Sequence, residues 1–410
     1  MKKKIIAMIM SAAMAVSLMA CAGAAPAASS DQDPEAEASE QAEASEQAEA
    51  PATEASEDAG GEAVSDMTVA MITDYGDITD QSFNQSTYEA CKEFCEANNV
   101  GFTYYKPEGD STADRVAMID KAVADGYNVV VMPGYAFAEA IVETAEMYPD
   151  VKFVALDVSE YDLITAAGTD TYDQPNVFSA VYQEELAGYM AGFAAVKMGY
   201  TKLGFLGGMA VPAVIRYGYG FVQGADAAAK EDGADVSMNY AYGNQFYGDA
   251  DITAAMDTWY QGGTEVVFAC GGGIYTSAAE AAEKVSGKVI GVDVDQAAII
   301  DGQYGEGMTI TSAMKGLGAT VNTLLSAIYQ GNWSEYSGKI LNLGIVDGAN
   351  PENNYVQLPL KSTVWNDNFT EDDYKAIVAG MADGTIKVSN ETPDEPTAET
   401  VKLNFQGNIK

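Results

Sequence analysis

From Thr68 onward, short all-apolar runs alternate with longer stretches in which apolar residues recur every three or four positions. Runs of strand length stand at Thr68–Thr73, Phe102–Tyr105, Val129–Met132, Phe153–Leu156 and Asn176–Val181. Helical patterns separate them at Ser86–Ala97, Asp114–Asp125 and Ala136–Met147. A second series has strands at Lys202–Leu206, Val236–Tyr242, Val266–Ala269 and Lys288–Val292, with helices near Glu184–Val196, Tyr217–Glu231, Ile252–Gln261 and Ala278–Val285. A continuous apolar run is a strand covered on both faces, and strands alternating with helices of this length make parallel βαβ units. The pattern therefore predicts an α/β protein with two similar lobes. Thr309–Met314, Gly316–Tyr329 and Lys339–Leu343 read as a later strand, helix and strand that swap the chain between lobes. Tyr374–Asp383 reads as a terminal amphipathic helix. The expected boundaries are 67–181 with about 315–338 for the first lobe, 182–314 with about 339–400 for the second, and a loose tail at 401–410.

The N-terminus follows a different rule. Lys2-Lys3-Lys4 precedes a short apolar run from Ile5 to Met19, and Leu18-Met19-Ala20-Cys21 then sets small residues before a cysteine. Such a run is too short for a mature bilayer span and reads as a removable signal. Its end resembles a bacterial lipobox, in which Cys21 would be diacylated and become the mature N-terminus; two acyl chains anchor firmly. The plainer alternative is a secretory signal with an incidental cysteine. Residues 22–66 hold thirteen acidic and no basic residues, with ASEQAE twice in tandem from Ala38. With Val64 as the one large apolar side chain, this segment cannot offset its ordering entropy and is expected to be a disordered, self-repelling tether.

Charge narrows the function. The chain carries a net −40, and residues 67–410 alone hold 48 acidic and 18 basic residues, a net −30. Nucleic acid and anionic lipid surfaces both need a basic footprint and are poor partners. The chain has no histidine, which excludes imidazole acid–base catalysis and histidine-ligated metals. Cys91, Cys95 and Cys270 form no C-x-x-C pair and read as structural thiols. No cofactor motif stands out, and G-x-G-x-x-G and G-K-[ST] patterns are missing from the first strand–loop–helix unit. Roughly 340 residues exceed one comfortable core.

That first unit, TVAMITDYGDITDQSFNQSTYEA from Thr68 to Ala90, carries the candidate chemistry. Ligands in parallel α/β folds sit just beyond the carboxyl ends of the strands. Here that edge offers a carboxylate (Asp74), an aromatic ring (Phe83) and an amide (Asn84), a set suited to a small polar molecule with a flat face.

Six ordered segments carry a family resemblance: ITDYGDITDQSFNQ, MPGYAFAEAIVETAEMYPDVKFVALD, EELAGYMAGFAAV, KLGFLGGM, VIGVDVDQ and TSAMKGLGATVN. Together they resemble the basic membrane protein (BMP) family of solute-binding lipoproteins over about Thr68 to Asn322, with a weaker match at DGTIKV from Asp383. The resemblance implies a two-lobed, periplasmic-binding-protein-like fold of type I, each lobe a parallel sheet flanked by helices, joined by a three-crossover hinge. It implies a monomeric, non-enzymatic protein, lipid-anchored on the extracytoplasmic face of the cell membrane. Such a protein binds a purine nucleoside such as adenosine, guanosine or inosine and passes it to ABC permease and ATPase subunits. By the same resemblance Phe83 and Phe246 would stack on the two faces of the base. Asp74, Asn84 and Asp157 would face the ligand from the first lobe, and Asp293 would accept the ribose hydroxyls. Lys315 would reach the sugar, Gly271 and Gly272 would let backbone approach it, and Tyr135 is a looser candidate. The chain departs from the family at Gly76-Asp77, Thr79-Asp80 and Ala210, where relatives often carry two glycines, two acids and one acid.

Each residue also has a plain structural reading. Asp74 and Asp293 could cap helices, Phe83 and Phe246 could be core, Asp157 could have no part in binding, Lys315 could be a solvated loop lysine, and Gly271–Gly273 could be a turn. Two other functions stay open: the same fold holding a free sugar or another flat heterocycle, and a surface nucleoside hydrolase built on Asp74, Asp77 and Asp80.

Overall fold

The computed structural model describes residues 66–74 and 76–410. The signal segment, Cys21 and nearly all of the acidic stretch lie outside the described residues. The first lobe is built from β1 (Thr68–Ile72), α1 (Phe83–Asn98), β2 (Gly101–Tyr105), α2 (Thr112–Ala124), β3 (Val129–Pro133), α3 (Ala138–Ala145), β4 (Lys152–Leu156), α4 (Glu160–Ala167) and β5 (Val177–Tyr182). The second runs through α5 (Glu184–Lys197), β6 (Lys202–Gly207), α6 (Pro212–Asp232), β7 (Ser237–Tyr242), α7 (Ala250–Gln261), β8 (Val266–Cys270), α8 (Tyr275–Glu283), β9 (Lys288–Asp293), α9 (Ala297–Tyr304) and β10 (Thr309–Lys315). The closing elements are α10 (Leu317–Tyr329), β11 (Ile340–Leu343), β12 (Val356–Gln357), α11 (Glu371–Ala382) and β13 (Lys402–Asn408).

The sheets run β11-β5-β4-β3-β1-β2 and β12-β10-β9-β8-β6-β7-β13. Without the last three strands, the two lobes have the same order, with the first strand between the second and third. Parallel pairing sets Val69 opposite Phe102 and Val129 in one sheet, and Leu203 opposite Met238 and Val266 in the other. The uninterrupted apolar character of β1, β3 and β8 follows from burial on both faces. The chain crosses between lobes after β5, after β10 and between β11 and β12. No described helix is long and apolar enough to cross a membrane.

Two expectations need correction. Lys339–Leu343, expected with the second lobe, instead yields β11, which pairs in parallel with β5 in the first sheet. The tail 401–410, expected loose, contains β13, which pairs in parallel with β7 and seats Lys402 opposite Ser237. The strand K-L-N-F-Q-G-N has only two large apolar residues, and an edge strand needs little more because one face stays in water. Helix α4 was also not anticipated. It buries little beyond Leu163, and a Ser159–Asp162 capping box starts it.

Four glycines shape the hinge side of the second lobe. A Cβ at Gly188 would collide with the carbonyl oxygen of Tyr217, and one at Gly192 with that of Phe221. From the other helix, Gly220 meets the backbone of Glu185 and Gly224 that of Tyr189. Helices α5 and α6 therefore touch backbone to backbone. This contact brings Glu184, Arg216 and Tyr217, all near the starts of these helices, to the cleft.

Candidate functional site

A cavity of about 830 Å³ opens at the carboxyl ends of the strands of both lobes, within the usual size of a small-molecule site. All ten candidate residues line it: Asp74, Phe83, Asn84, Tyr135 and Asp157 from the first lobe, Phe246, Gly271, Gly272 and Asp293 from the second, and Lys315 at the crossover after β10. They lie as much as 241 positions apart in sequence, and the switch in strand order brings them together.

Asp157, just past β4, and Asp293, at the end of β9, occupy equivalent places in the two lobes. Both have left-handed backbones, φ 63° and 64°. Side chains rarely adopt that conformation, and such strain persists where surrounding structure enforces it, often at functional sites. Neither Asp74 nor Asp293 is a helix cap, since the N-cap positions of α1 and α9 are Ser82 and Gln296.

Lys315 is the hub. Its Nζ lies 2.6 Å from Asp157 Oδ2, 3.4 Å from Glu184 Oε1 and 3.8 Å from Asp293 Oδ1. The lysine is buried, which excludes the solvated-loop reading. Burial alone would lower its pKa, and the three carboxylates more than reverse this, so it stays charged. Burial raises the Asp157 and Asp293 carboxyls, and Lys315 offsets only part of that rise. The ammonium also stands 4.6 Å from the centre of the Phe83 ring, a cation–π contact. Arg216 Nε donates to the other Glu184 oxygen, Oε2, at 2.7 Å.

Asn84 has a fixed orientation. Its Nδ2 donates to Asp80 Oδ2 at 3.1 Å and to Asp74 Oδ1 at 3.4 Å. Ionised carboxylates only accept, so the amide must turn its NH2 toward them and its carbonyl away. That carbonyl is buried and has no hydrogen-bond partner among the described residues, nor has Asp157 Oδ1. Asp80 itself accepts the backbone N–H groups of Ser82, Asn84 and Gln85 at 2.9–3.0 Å, which ties the loop to the start of α1. Asp77 takes Lys106 Nζ at 2.7 Å. Among the described residues, no group of three or more cysteines or acids is placed to share a metal ion. Asp77 and Asp80 both brace the loop, while Asp74 lines the cavity.

Gly271 and Gly272 are also more than a turn. A Cβ at Gly208 would overlap the Phe246 ring, and one at Gly272 would press on the Phe246 carbonyl. The φ values, +148° at Gly271 and +52° at Gly272, favour glycine over residues with side chains. These glycines make room for Phe246, which the sequence reading did not foresee. Ala210 is exposed and is not part of the lining, although Met209 and Val211 on either side are.

Sequence reasoning missed four residues here. Ser82 Oγ donates across the cleft to Asp293 Oδ2 at 2.5 Å, and Gln296 Nε2 donates across it to the Gln81 carbonyl at 2.9 Å. Glu184 and Tyr217 complete the floor beside Lys315, with the Tyr217 ring 5.9 Å from the ammonium. Glu184 and Tyr217 look like ordinary helix residues in sequence. The one local signal was the charge of Glu184-Glu185 at the head of an otherwise apolar helix.

Residues 67–372 match the model of the Bmp family, described as ABC transporter substrate-binding protein PnrA-like. The chain is 28% identical over 308 residues to the ABC transporter nucleoside-binding protein BmpA of Lactococcus lactis subsp. cremoris, covering 70% of this chain and 82% of that one. It is 26% identical over 289 residues to basic membrane protein B of Borreliella burgdorferi, covering 68% and 79%. Among solved structures, an ABC transporter solute-binding protein from Aeropyrum pernix K1 superposes with a TM-score of 0.60 at 21% identity, covering 78% of this chain and 87% of that one. One from Conexibacter woesei gives 0.59 at 24%, covering 79% and 99%. These two likenesses show the fold: two parallel-sheet lobes flanked by helices, as in other solute-binding proteins.

Proposed function

Because the chain belongs to the Bmp family of PnrA-like ABC transporter substrate-binding proteins, we propose that it captures a purine nucleoside between its lobes and delivers it to an ABC importer. The observation that carries this reading is the pair of phenylalanines from opposite lobes, Phe83 and Phe246, lining one cavity with carboxylates at its polar end. A flat base fits between rings, and a ribose diol donates to a carboxylate such as Asp293. The ligand touches both lobes, so it favours the closed arrangement by its differential affinity. Family members are substrate-binding proteins rather than enzymes.

The first lobe also offers polar contacts to the base. Its two unpartnered oxygens, Asn84 Oδ1 and Asp157 Oδ1, are acceptors and ask for donors on the ligand. Guanosine and inosine can supply a ring N–H, and adenosine its 6-amino group. Mass spectrometry of ligand released by gentle denaturation, followed by titration calorimetry with the three nucleosides, tests the reading. At least one should bind below micromolar. Millimolar or absent binding of all three, with tight binding of a plain sugar, would replace the nucleoside by a sugar. Lipid attachment through Cys21 would hold the protein at the extracytoplasmic face of the membrane. Cys21→Ser should then shed the protein or leave it unprocessed, and a processed variant that still partitions into detergent would sink that part.

A further inference from the structure

Three buried polar atoms around the cavity have no hydrogen-bond partner among the described residues. Two are the acceptors of the first lobe, Asn84 Oδ1 and Asp157 Oδ1; the third is the hydroxyl of Tyr217 in the second. Tyr217 is 1% exposed, and its ring meets Phe268 edge-on at 5.9 Å. The tight α5–α6 contact at Gly188 holds its backbone against α5. An orphaned buried hydroxyl is destabilising unless something fills it.

We propose that Tyr217 is a specificity-determining residue that donates its phenolic hydrogen to the sugar of the bound ligand. The inference rests on the nucleoside reading above and extends it to a residue outside the candidate set. The position supports the sugar end, since Tyr217 lines the cavity with its ring 5.9 Å from the Lys315 ammonium, which Asp293 also approaches at 3.8 Å. Burial raises the phenol far above its ordinary range, so it keeps its proton and acts as a donor. A sugar hydroxyl that donates to Asp293 still has free lone pairs, and the phenol O–H supplies the missing donor to one of them. Carboxylate and phenol together then recognise a hydroxyl in both of its roles, which a carboxylate alone cannot do.

Tyr217→Phe removes one oxygen and keeps the ring. Calorimetry with inosine and with 2′,3′-dideoxyinosine, beside the melting temperature of ligand-free protein, is the test. The expected result is about tenfold weaker inosine binding, less than about twofold change for the dideoxy ligand, and an equal or higher ligand-free melting temperature. Equal effects on both ligands, or no effect on inosine, would overturn the proposal. A lower ligand-free melting temperature would show that the hydroxyl serves the fold, and would overturn it too. The wild-type titration tests the nucleoside reading separately. If wild type takes D-ribose instead, the variant is compared on D-ribose, and an unchanged affinity there refutes the role of Tyr217. If wild type binds none of the three probes, the reading and the proposal fall together.

Discussion

The two lobes share a strand order and end in the same place, yet they meet the cavity with opposite means. Asp157 and Asp293 stand at equivalent strand ends with the same left-handed backbone, and both approach Lys315. Asp157 holds the ammonium at 2.6 Å and leaves one oxygen without a partner. Asp293 stands 3.8 Å from it and instead accepts Ser82 across the cleft. Around them, the first lobe presents acceptors from a loop braced by Asp80. The second presents Phe246, held in a space cleared by glycines. Duplicated topology thus sets where carboxylates stand, and the local loops set what each one does. One buried lysine between two lobes ties both carboxylates to the hinge.

Removing that lysine should break the comparison most severely. Lys315→Met leaves Asp157, Glu184 and Asp293 buried without their common counter-ion, and should cost about 3–5 kcal/mol in chemical denaturation at neutral pH. The loss should shrink in acid as the carboxyls take up protons. An unchanged denaturation midpoint would mean that the cluster does not depend on Lys315.

The aromatic walls should respond more modestly. Phe83→Ala and Phe246→Ala each lose ring stacking worth on the order of 1 kcal/mol beyond area burial. Each should weaken a nucleoside and its dideoxy analogue equally, because the base is common to both. Phe83→Ala should also disturb Lys315, whose ammonium rests on that ring. A larger fall in ligand-free melting temperature for Phe83→Ala than for Phe246→Ala would show that asymmetry, and equal falls would remove it.

A pH effect concerns Glu185, next to Glu184 and with one buried oxygen that lacks a partner among the described residues. Burial, helped by Glu184, pushes its carboxyl from 4.5 up to about 7. A carboxyl with a raised folded-state pKa binds its proton more tightly when folded. Its contribution is full below about pH 4.5 and is lost as pH rises through about 7. The melting temperature should therefore fall between pH 5 and 8. Glu185→Gln should flatten that slope relative to wild type. Parallel slopes in the two proteins would assign the dependence to other groups, such as the raised Asp157 and Asp293 carboxyls.

Much of this arrangement was legible in the sequence. The apolar runs mark β1, β3, β4, β8 and β9 because strands covered on both faces are mostly apolar along their middles. All ten candidate residues line one cavity because they stand in loops and strand ends, where local motifs show. Ser82, Glu184, Tyr217 and Gln296 were not visible. Their roles come from crossings between lobes and from the backbone contact of α5 with α6, and neither leaves a periodic trace. β13 escaped for a related reason: an edge strand with one wet face looks like a polar tail. The glycines at 271 and 272 were found, but their purpose depended on where Phe246 would lie.

The division of labour between the two equivalent aspartates is the centre of this account. Calorimetry of Asp293→Ala and Asp157→Asn with inosine and 2′,3′-dideoxyinosine tests it most directly. Asp293→Ala should weaken inosine by about 2 kcal/mol, roughly thirtyfold, and the dideoxy ligand far less, because only inosine has a diol to lose. Asp157→Asn should weaken both ligands alike. If Asp293→Ala weakens both ligands equally with an unchanged melting temperature, Asp293 does not hold the sugar and the two carboxylates are not specialised by lobe.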